Sequence, residues 1–324
     1  MTEPALPDRT LPDRTSVEAA AERLAGRVLE TPVIHRESFS RWLGCEVHFK
    51  CETFQRTGSF KFRGATHAVG QLGPDALDAG VTTHSSGNHG AALALAARDA
   101  GLPARIVVPR GANPLKRAAI EAYGGRIVEC GETLAEREAA LARVCQETGA
   151  IFVPPYDDAH IIAGQGTAAL ELARSVPGLD EVWVPVGGGG LASGTLLALA
   201  GESVRVIGVE PELADDAYWS LERGEIQPQR PPRTIADGLR TALGTLPFAL
   251  FRQHHLTIRT VTEAEIVAAQ RLLWQRLKLV VELSGAVPLA GLLRALAAEP
   301  ARYSKVRVGV ILSGGNAVFP EPAV

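Results

Sequence analysis

From about residue 80 to residue 210 short β-prone runs alternate with alanine-rich helical stretches. That alternation limits the possible fold more than any other feature. The runs fall at 81–83, 105–108, 126–129, 151–153, 182–186 and 204–209. Between them lie helical stretches such as 90–100, 114–123, 134–147 and 166–174. Strands separated by helices pair in parallel and carry helices on both faces of the sheet. A final run, 306–312, follows a helix expected over 263–278, which Thr262 and Glu265 cap. Residues 215–245 are polar and proline-containing and read as an irregular excursion. An early helix is expected from Thr15, capped with Glu18, until Thr31-Pro32 stops it.

The composition removes several function classes. A net charge of −3 with no dense Lys/Arg cluster argues against nucleic acid as a partner. No apolar run is long enough to span a bilayer, and the polar, proline-rich N-terminus carries no signal-peptide pattern. Leu-Pro-Asp-Arg-Thr occurs twice in succession, at 6–10 and 11–15, so residues 1–15 are expected to be a disordered leader. Cys45, Cys51, Cys130 and Cys145 show neither CxxC nor framework spacing. They read as reduced thiols in a cytoplasmic protein.

The chemistry concentrates in one segment and three turns. In Thr57-Gly58-Ser59-Phe60-Lys61-Phe62-Arg63-Gly64-Ala65, Lys61 lies between two aromatic residues. Desolvation there lowers a lysine pKa, and a partly neutral lysine forms an imine with an aldehyde. The bland alternative is a snorkelling lysine at the edge of an element. In open parallel sheets ligands bind beyond the carboxyl ends of strands. Three glycine-rich turns sit there: Ser85-Ser86-Gly87-Asn88-His89-Gly90, Gly187-Gly188-Gly189-Gly190 and Ser313-Gly314-Gly315-Asn316. The first suits a carboxylate, and the second, opening a helix, suits a phosphate dianion. Gly187-x-Gly189-x-x-Ala192, with Glu210 ending the next strand, also matches a dinucleotide fingerprint. An NAD-dependent oxidoreductase is therefore a competing reading, but one that leaves Lys61 and the other two turns without roles.

Together these residues resemble the fold type II pyridoxal-phosphate enzymes, in the serine/threonine dehydratase and serine racemase branch. The resemblance runs from about Ala25 to Asn316. It is carried by Lys50-Cys51-Glu52, Gln55 through Gly64, His84 through Gly90, Ala163-Gly164-Gln165-Gly166-Thr167, Pro185 through Gly190 and Thr234-Ile235-Ala236-Asp237-Gly238. It implies two open parallel-sheet domains with helices on both faces and the cofactor in the cleft between them. The expected division is a large domain of 16–70 with 158–324 and a small domain of 71–157. It further implies that Lys61, next to Phe60, holds pyridoxal 5′-phosphate as a Schiff base. Gly187, Gly188, Gly189 and Gly190 would cup the phosphate, Asn88 would bond the phenolic oxygen, and Ser313 would face the pyridine nitrogen. Ser85, Ser86, Asn88 and His89 resemble the loop that holds the substrate carboxylate. Arg137 falls where an arginine can meet a second acidic group. Glu210, the Ala214 carbonyl and Asp216 match a site for Mg²⁺ or Ca²⁺.

The resemblance points to a dehydratase that converts a β-hydroxy-α-amino acid to a 2-oxo acid and ammonia, with a homodimer as the expected assembly. A racemase using Lys61 and Ser86 on opposite faces is the alternative within the family, and a homologue without turnover is a third possibility. Three departures bear on the substrate. Pro154 and Tyr156 stand where histidine and asparagine are usual, and Leu283 replaces a proline. A pocket of this kind is expected to admit a larger β-substituent, such as that of phenylserine, and Arg137 suits 3-hydroxyaspartate.

Overall fold

The computed structural model describes residues 11–85 and 87–317. Its ten strands are β1 (Val33–His35), β2 (Glu46–Cys51), β3 (Val81–His84), β4 (Ala104–Pro109), β5 (Arg126–Cys130), β6 (Ile151–Phe152), β7 (Glu181–Pro185), β8 (Arg205–Pro211), β9 (Thr257–Val261) and β10 (Arg307–Leu312). They form two sheets, one of order β1-β2-β10-β7-β8-β9 and one of order β5-β4-β3-β6. All pairings are parallel except β1 with β2. The expected α/β architecture holds, with one antiparallel edge strand added. The strands β7 and β10 are apolar on both faces because helices cover both, and they are buried almost throughout.

The expected helices are present with shifted ends. The first spans Arg14–Leu24 and is capped by Asp13, not by Thr15. The Asp13 carboxylate accepts from the Ser16 amide at 2.9 Å and from the Thr15 hydroxyl at 2.7 Å. A charged acceptor two residues earlier outcompetes a hydroxyl for the free amides. Residues 1–10 of the expected leader lie outside the described residues. The helix Glu263–Leu272 has the expected Thr262–Glu265 capping box but passes into a π-turn over Leu273–Leu277. The excursion at 215–245 is partly helical, with Asp216–Arg223 forming two turns.

The long helix Ala159–Ser175 packs against both Lys61–Val69 and Gly190–Ala198. The approach needs glycine. A Cβ on Gly164 would lie 2.7 Å from the Gly64 Cα, and one on Gly194 would lie 2.4 Å from the Gly166 amide nitrogen. The Ala163–Thr167 string is therefore a packing motif. Beneath the crossing lies a buried charge cluster. The Arg63 guanidinium is fully buried and grips Glu52 with two bonds of 2.8 Å and Glu171 with bonds of 2.6 and 2.7 Å. Lys50 donates to the same Glu171 at 2.5 Å. Burial works against the Arg63 charge, but its two carboxylate partners outweigh it and hold its proton more tightly. Two cations and two carboxylates thus anchor the start of the helix that carries Lys61.

Candidate active site

The strand order brings two of the three glycine-rich turns together with the Lys61 segment. In the large sheet β10 lies between β2 and β7, so the segments leaving their carboxyl ends are neighbours. Leu312 pairs with Cys51 in register. The chain after β2 runs through two short 3₁₀ turns into Lys61, and Ser59 bridges Gly314. The Phe60 amide donates to the Ser313 carbonyl at 3.0 Å, which sets the buried Ser313 beside Lys61. Thr57 holds a left-handed φ of 65° just before the lysine, a conformation uncommon for a β-branched residue. The Asn316 amide secures that bend by donating to the Thr57 carbonyl at 2.8 Å.

Lys61 Nζ donates to the Pro155 carbonyl at 2.7 Å and lies 5.1 Å from the Phe60 ring centre. Burial pushes its ammonium down to about 8, against the opposing pull of Glu282. The expectation of a desolvated lysine is met, with a backbone carbonyl as its hydrogen-bond acceptor.

The turn after β3 faces this lysine from the small sheet. His89 is buried, hydrogen-bonded through Nε2 to the Val153 carbonyl at 3.0 Å, while its Nδ1 has no partner. Burial and the Lys61 charge push its pKa down to about 3, so His89 is neutral. Asn88 donates to Glu282 at 2.8 Å and accepts from Asn316 at 2.9 Å. Ser85 is partly buried, and Ser86 lies outside the described residues. Arg137, on the helix Leu134–Thr148, donates from Nη2 to the Glu132 carbonyl at 2.8 Å. Its Nε is buried without a partner, and its charge reaches His84 at the end of β3.

The tetraglycine turn joins β7 to the helix Gly190–Ala198. Gly189 caps that helix with φ +94° and no side-chain hydrogen bond. A Cβ on Gly189 would meet Pro247 at 2.5 Å, and one on Gly188 would meet the Tyr156 ring at 2.4 Å. The turn is thus a cradle that only glycine can line, at the positive end of a helix. With an imine-competent lysine beside it, this donor set fits an aldehyde that carries a phosphate. Asp157 accepts from the Thr245 and Leu246 amides at 3.0 and 2.8 Å, which fixes the segment bearing Tyr156 over the cradle.

Glu210, Ala214 and Asp216 are all buried. Glu210 accepts from the Tyr218 amide at 2.7 Å, and Asp216 accepts from the Leu243 amide at 2.8 Å. Burial, and then the charge of Asp216, holds the Glu210 carboxyl well above the usual carboxylate range. Asp216 itself is raised by burial. Among the described residues no three His, Cys, Asp or Glu side chains group as a metal site.

Sequence reasoning missed Glu282. It is buried at 7% exposure, and its amide donates to the Gly314 carbonyl at 3.0 Å. Burial, and then Asp237, pushes its carboxyl up to about 7, although Asn88 and the charges of Lys116 and Lys61 oppose this. The available signal was an acid at the cap of an otherwise apolar helix, Leu283–Ala298.

This chain is a member of the pyridoxal-phosphate dependent enzyme family, whose model matches residues 24–314. It is 44% identical to the beta-hydroxyaspartate dehydratase of Paracoccus denitrificans (strain Pd 1222) over 308 residues, covering 94% of this chain and 96% of the relative. Among solved structures, maize serine racemase superposes with a TM-score of 0.91 at 40% identity, covering 96% of this chain and 95% of the other. Threonine deaminase isoform 2 of Solanum lycopersicum superposes with a TM-score of 0.88 at 30% identity, covering 98% and 91%. The dinucleotide reading of Gly187-x-Gly189-x-x-Ala192 is thereby set aside. Its ribose-binding candidate, Glu210, is turned into the amides of the helix that follows.

Proposed function

We propose that this protein dehydrates a β-hydroxy-α-amino acid that bears a second carboxylate, with 3-hydroxyaspartate as its substrate class, and releases a 2-oxo acid and ammonia. The observation that carries the chemistry is Lys61, partly buried and held near pKa 8 between the three turns. The observation that favours an acidic β-substituent is the buried, unpartnered Nε of Arg137. The similarity to a beta-hydroxyaspartate dehydratase supports the same reading. Pyridoxal phosphate, when bound, supplies an electron sink for negative charge at the substrate α-carbon. Gly187, Gly188, Gly189 and Gly190 would hold its phosphate, with Phe60, Asn88 and Ser313 along its ring.

Lys61 Nζ takes the α-proton as general base, which its lowered pKa permits near neutral pH. Ser85, Ser86 and the Asn88 backbone amide, at the start of its helix, hold the substrate carboxylate. His89 is neutral and committed to Val153 through Nε2, so it orders that loop and offers only its Nδ1. Arg137 orients the second carboxylate. The Tyr156 ring and Pro155 screen Lys61 and the cradle from water. Ser313 would offer the cofactor ring a hydroxyl where a carboxylate would hold positive charge more strongly, which suits β-elimination.

The working unit in this reading has a small domain, 71–157, and a large one, 16–70 with 158–324, a division supported by the two separate sheets. Glu210, Asp216 and the Ala214 carbonyl bind Mg²⁺ or Ca²⁺, supported by two buried, neighbouring carboxylates that need a counter-charge. A cytoplasmic homodimer completes the reading, with the free thiols and the half-exposed Trp42 and Phe54 in its support.

The test is a panel of serine, threonine, threo-phenylserine and 3-hydroxyaspartate, assayed for oxo-acid release by wild type and Arg137→Ala. The expected result is the highest kcat/KM for 3-hydroxyaspartate and selective loss of that preference in the variant. Highest turnover of serine or threonine, unchanged in Arg137→Ala, would overturn the acidic-substrate reading. The similarity to serine racemases favours one second reading, racemisation through Lys61 and Ser86. Chiral analysis of recovered substrate in Ser86→Ala separates the two.

A further inference from the structure

The Asn88 amide has two partners that differ in kind. Its oxygen accepts from the Asn316 Nδ2 at 2.9 Å, and its nitrogen donates to the Glu282 Oε1 at 2.8 Å. Asn316 is itself fixed, because the same nitrogen also donates to the Thr57 carbonyl. A carboxylate only accepts, so Glu282 requires the NH₂ end of Asn88 to face it. One Asn88 N–H then remains as a free donor. Glu282 is in turn held by its own amide on the Gly314 carbonyl, next to the bridge that sets Ser313 beside Lys61.

Resting on the cofactor reading above, we propose that Glu282 is a positioning residue. It locks the Asn88 amide so that its free N–H, and not its oxygen, is presented to the cofactor's phenolic oxygen. Protonation turns the Glu282 carboxyl into a possible donor and releases the lock. The charged groups that act on Glu282 are Asp237, Lys116 and Lys61. Two of these, Lys116 and Asp237, form an ion pair with each other, so Lys116 offsets part of the effect of Asp237.

The test measures binding of pyridoxal 5′-phosphate and of its analogue lacking the phenolic hydroxyl by equilibrium dialysis, with the visible band as a second readout for the natural cofactor alone. Wild type is expected to prefer the natural cofactor by roughly tenfold or more at pH 8, the worth of one well-placed hydrogen bond to a charged oxygen. That preference should weaken at pH 6. Glu282→Gln keeps the shape but both donates and accepts, so its preference should be smaller and equal at the two pH values. Glu282→Ala should lose most of the preference, and adding it to Asn88→Ala should change nothing further. Glu282→Gln with the full, pH-dependent preference of wild type would overturn the proposal. So would an undiminished effect of Glu282→Ala in the Asn88→Ala background. If wild type itself gains no visible band with the cofactor, the cofactor reading fails first.

Discussion

Replacing Lys61 by methionine should make the cofactor-free protein more stable at neutral pH. The lysine titrates at 10.5 when exposed and at about 8 in the folded chain. That difference corresponds to about 3 kcal/mol against folding while the group is charged in both states. About 2 kcal/mol remains after the lost bond to the Pro155 carbonyl and the lysine's residual solvent contact are allowed for. For a chain of this size that raises Tm by roughly 3 °C. Below pH 8 both states are protonated and the penalty is fully present. Between pH 8 and 10.5 the unfolded chain binds a proton that the folded protein has released, so wild-type stability rises with pH. Above 10.5 the penalty is gone and the methionine loses its advantage. Glu282 acts in the opposite direction at lower pH. Its folded value of about 7 lies above its ordinary 4.5, so stability falls as pH rises between them. The assay is calorimetric Tm of the cofactor-free protein, wild type and Lys61→Met, from pH 6 to 11. A difference that stays constant across that range, or a less stable methionine variant at pH 7, would refute the desolvation argument.

Glu52→Ala should cost about 3–5 kcal/mol in urea unfolding, because it strips the fully buried Arg63 of a bidentate partner. Gly188→Ala should not retain pyridoxal phosphate in a cofactor titration, because its Cβ would displace the Tyr156 ring at the cradle. Mg²⁺ or Ca²⁺ should raise Tm, by the equivalent of about 2.7 kcal/mol at a hundredfold excess over Kd, and Glu210→Gln should abolish the rise. Because Glu210 and Asp216 both titrate above their ordinary range, that gain should shrink as pH falls and they take up protons.

Much of the fold was legible because its signals are local. Each β-prone run between 81 and 209 became a strand, since β-branched residues in short blocks have few other places to pack. The helix ends were less legible. Asp13 and Thr15 both offer a cap, and only the geometry of the first turn decides between them. Shared strings were legible as strings but not as roles. Ala163–Thr167 carries the resemblance with no role attached, and its two glycines serve helix crossings. The Gln165 Oε1 accepts from the Gly64 amide at 3.1 Å.

The site divides along the same line. Lys61 and the glycine turns could be found from neighbours in sequence, because desolvation by Phe60 and Phe62 and the freedom of four glycines are properties of adjacent residues. Glu282 could not. Its partner Asn88 is 194 positions away, and its capping position gives the sequence a bland explanation that needs no partner. What makes Glu282 consequential is that the helix it caps starts against Gly314, beside the last strand, while Asn88 starts a helix after β3 in the other sheet. The same holds for Lys116 with Asp237, and for Lys61 with the Pro155 carbonyl. Each links a segment between β3 and Tyr156 to one outside it, and the first two meet at Glu282, whose charge acts on Lys61. A glycine turn is recognisable before the chain folds, whereas the proton affinity of Lys61 is set only when Pro155 and Glu282 have been brought to it from distant parts of the chain.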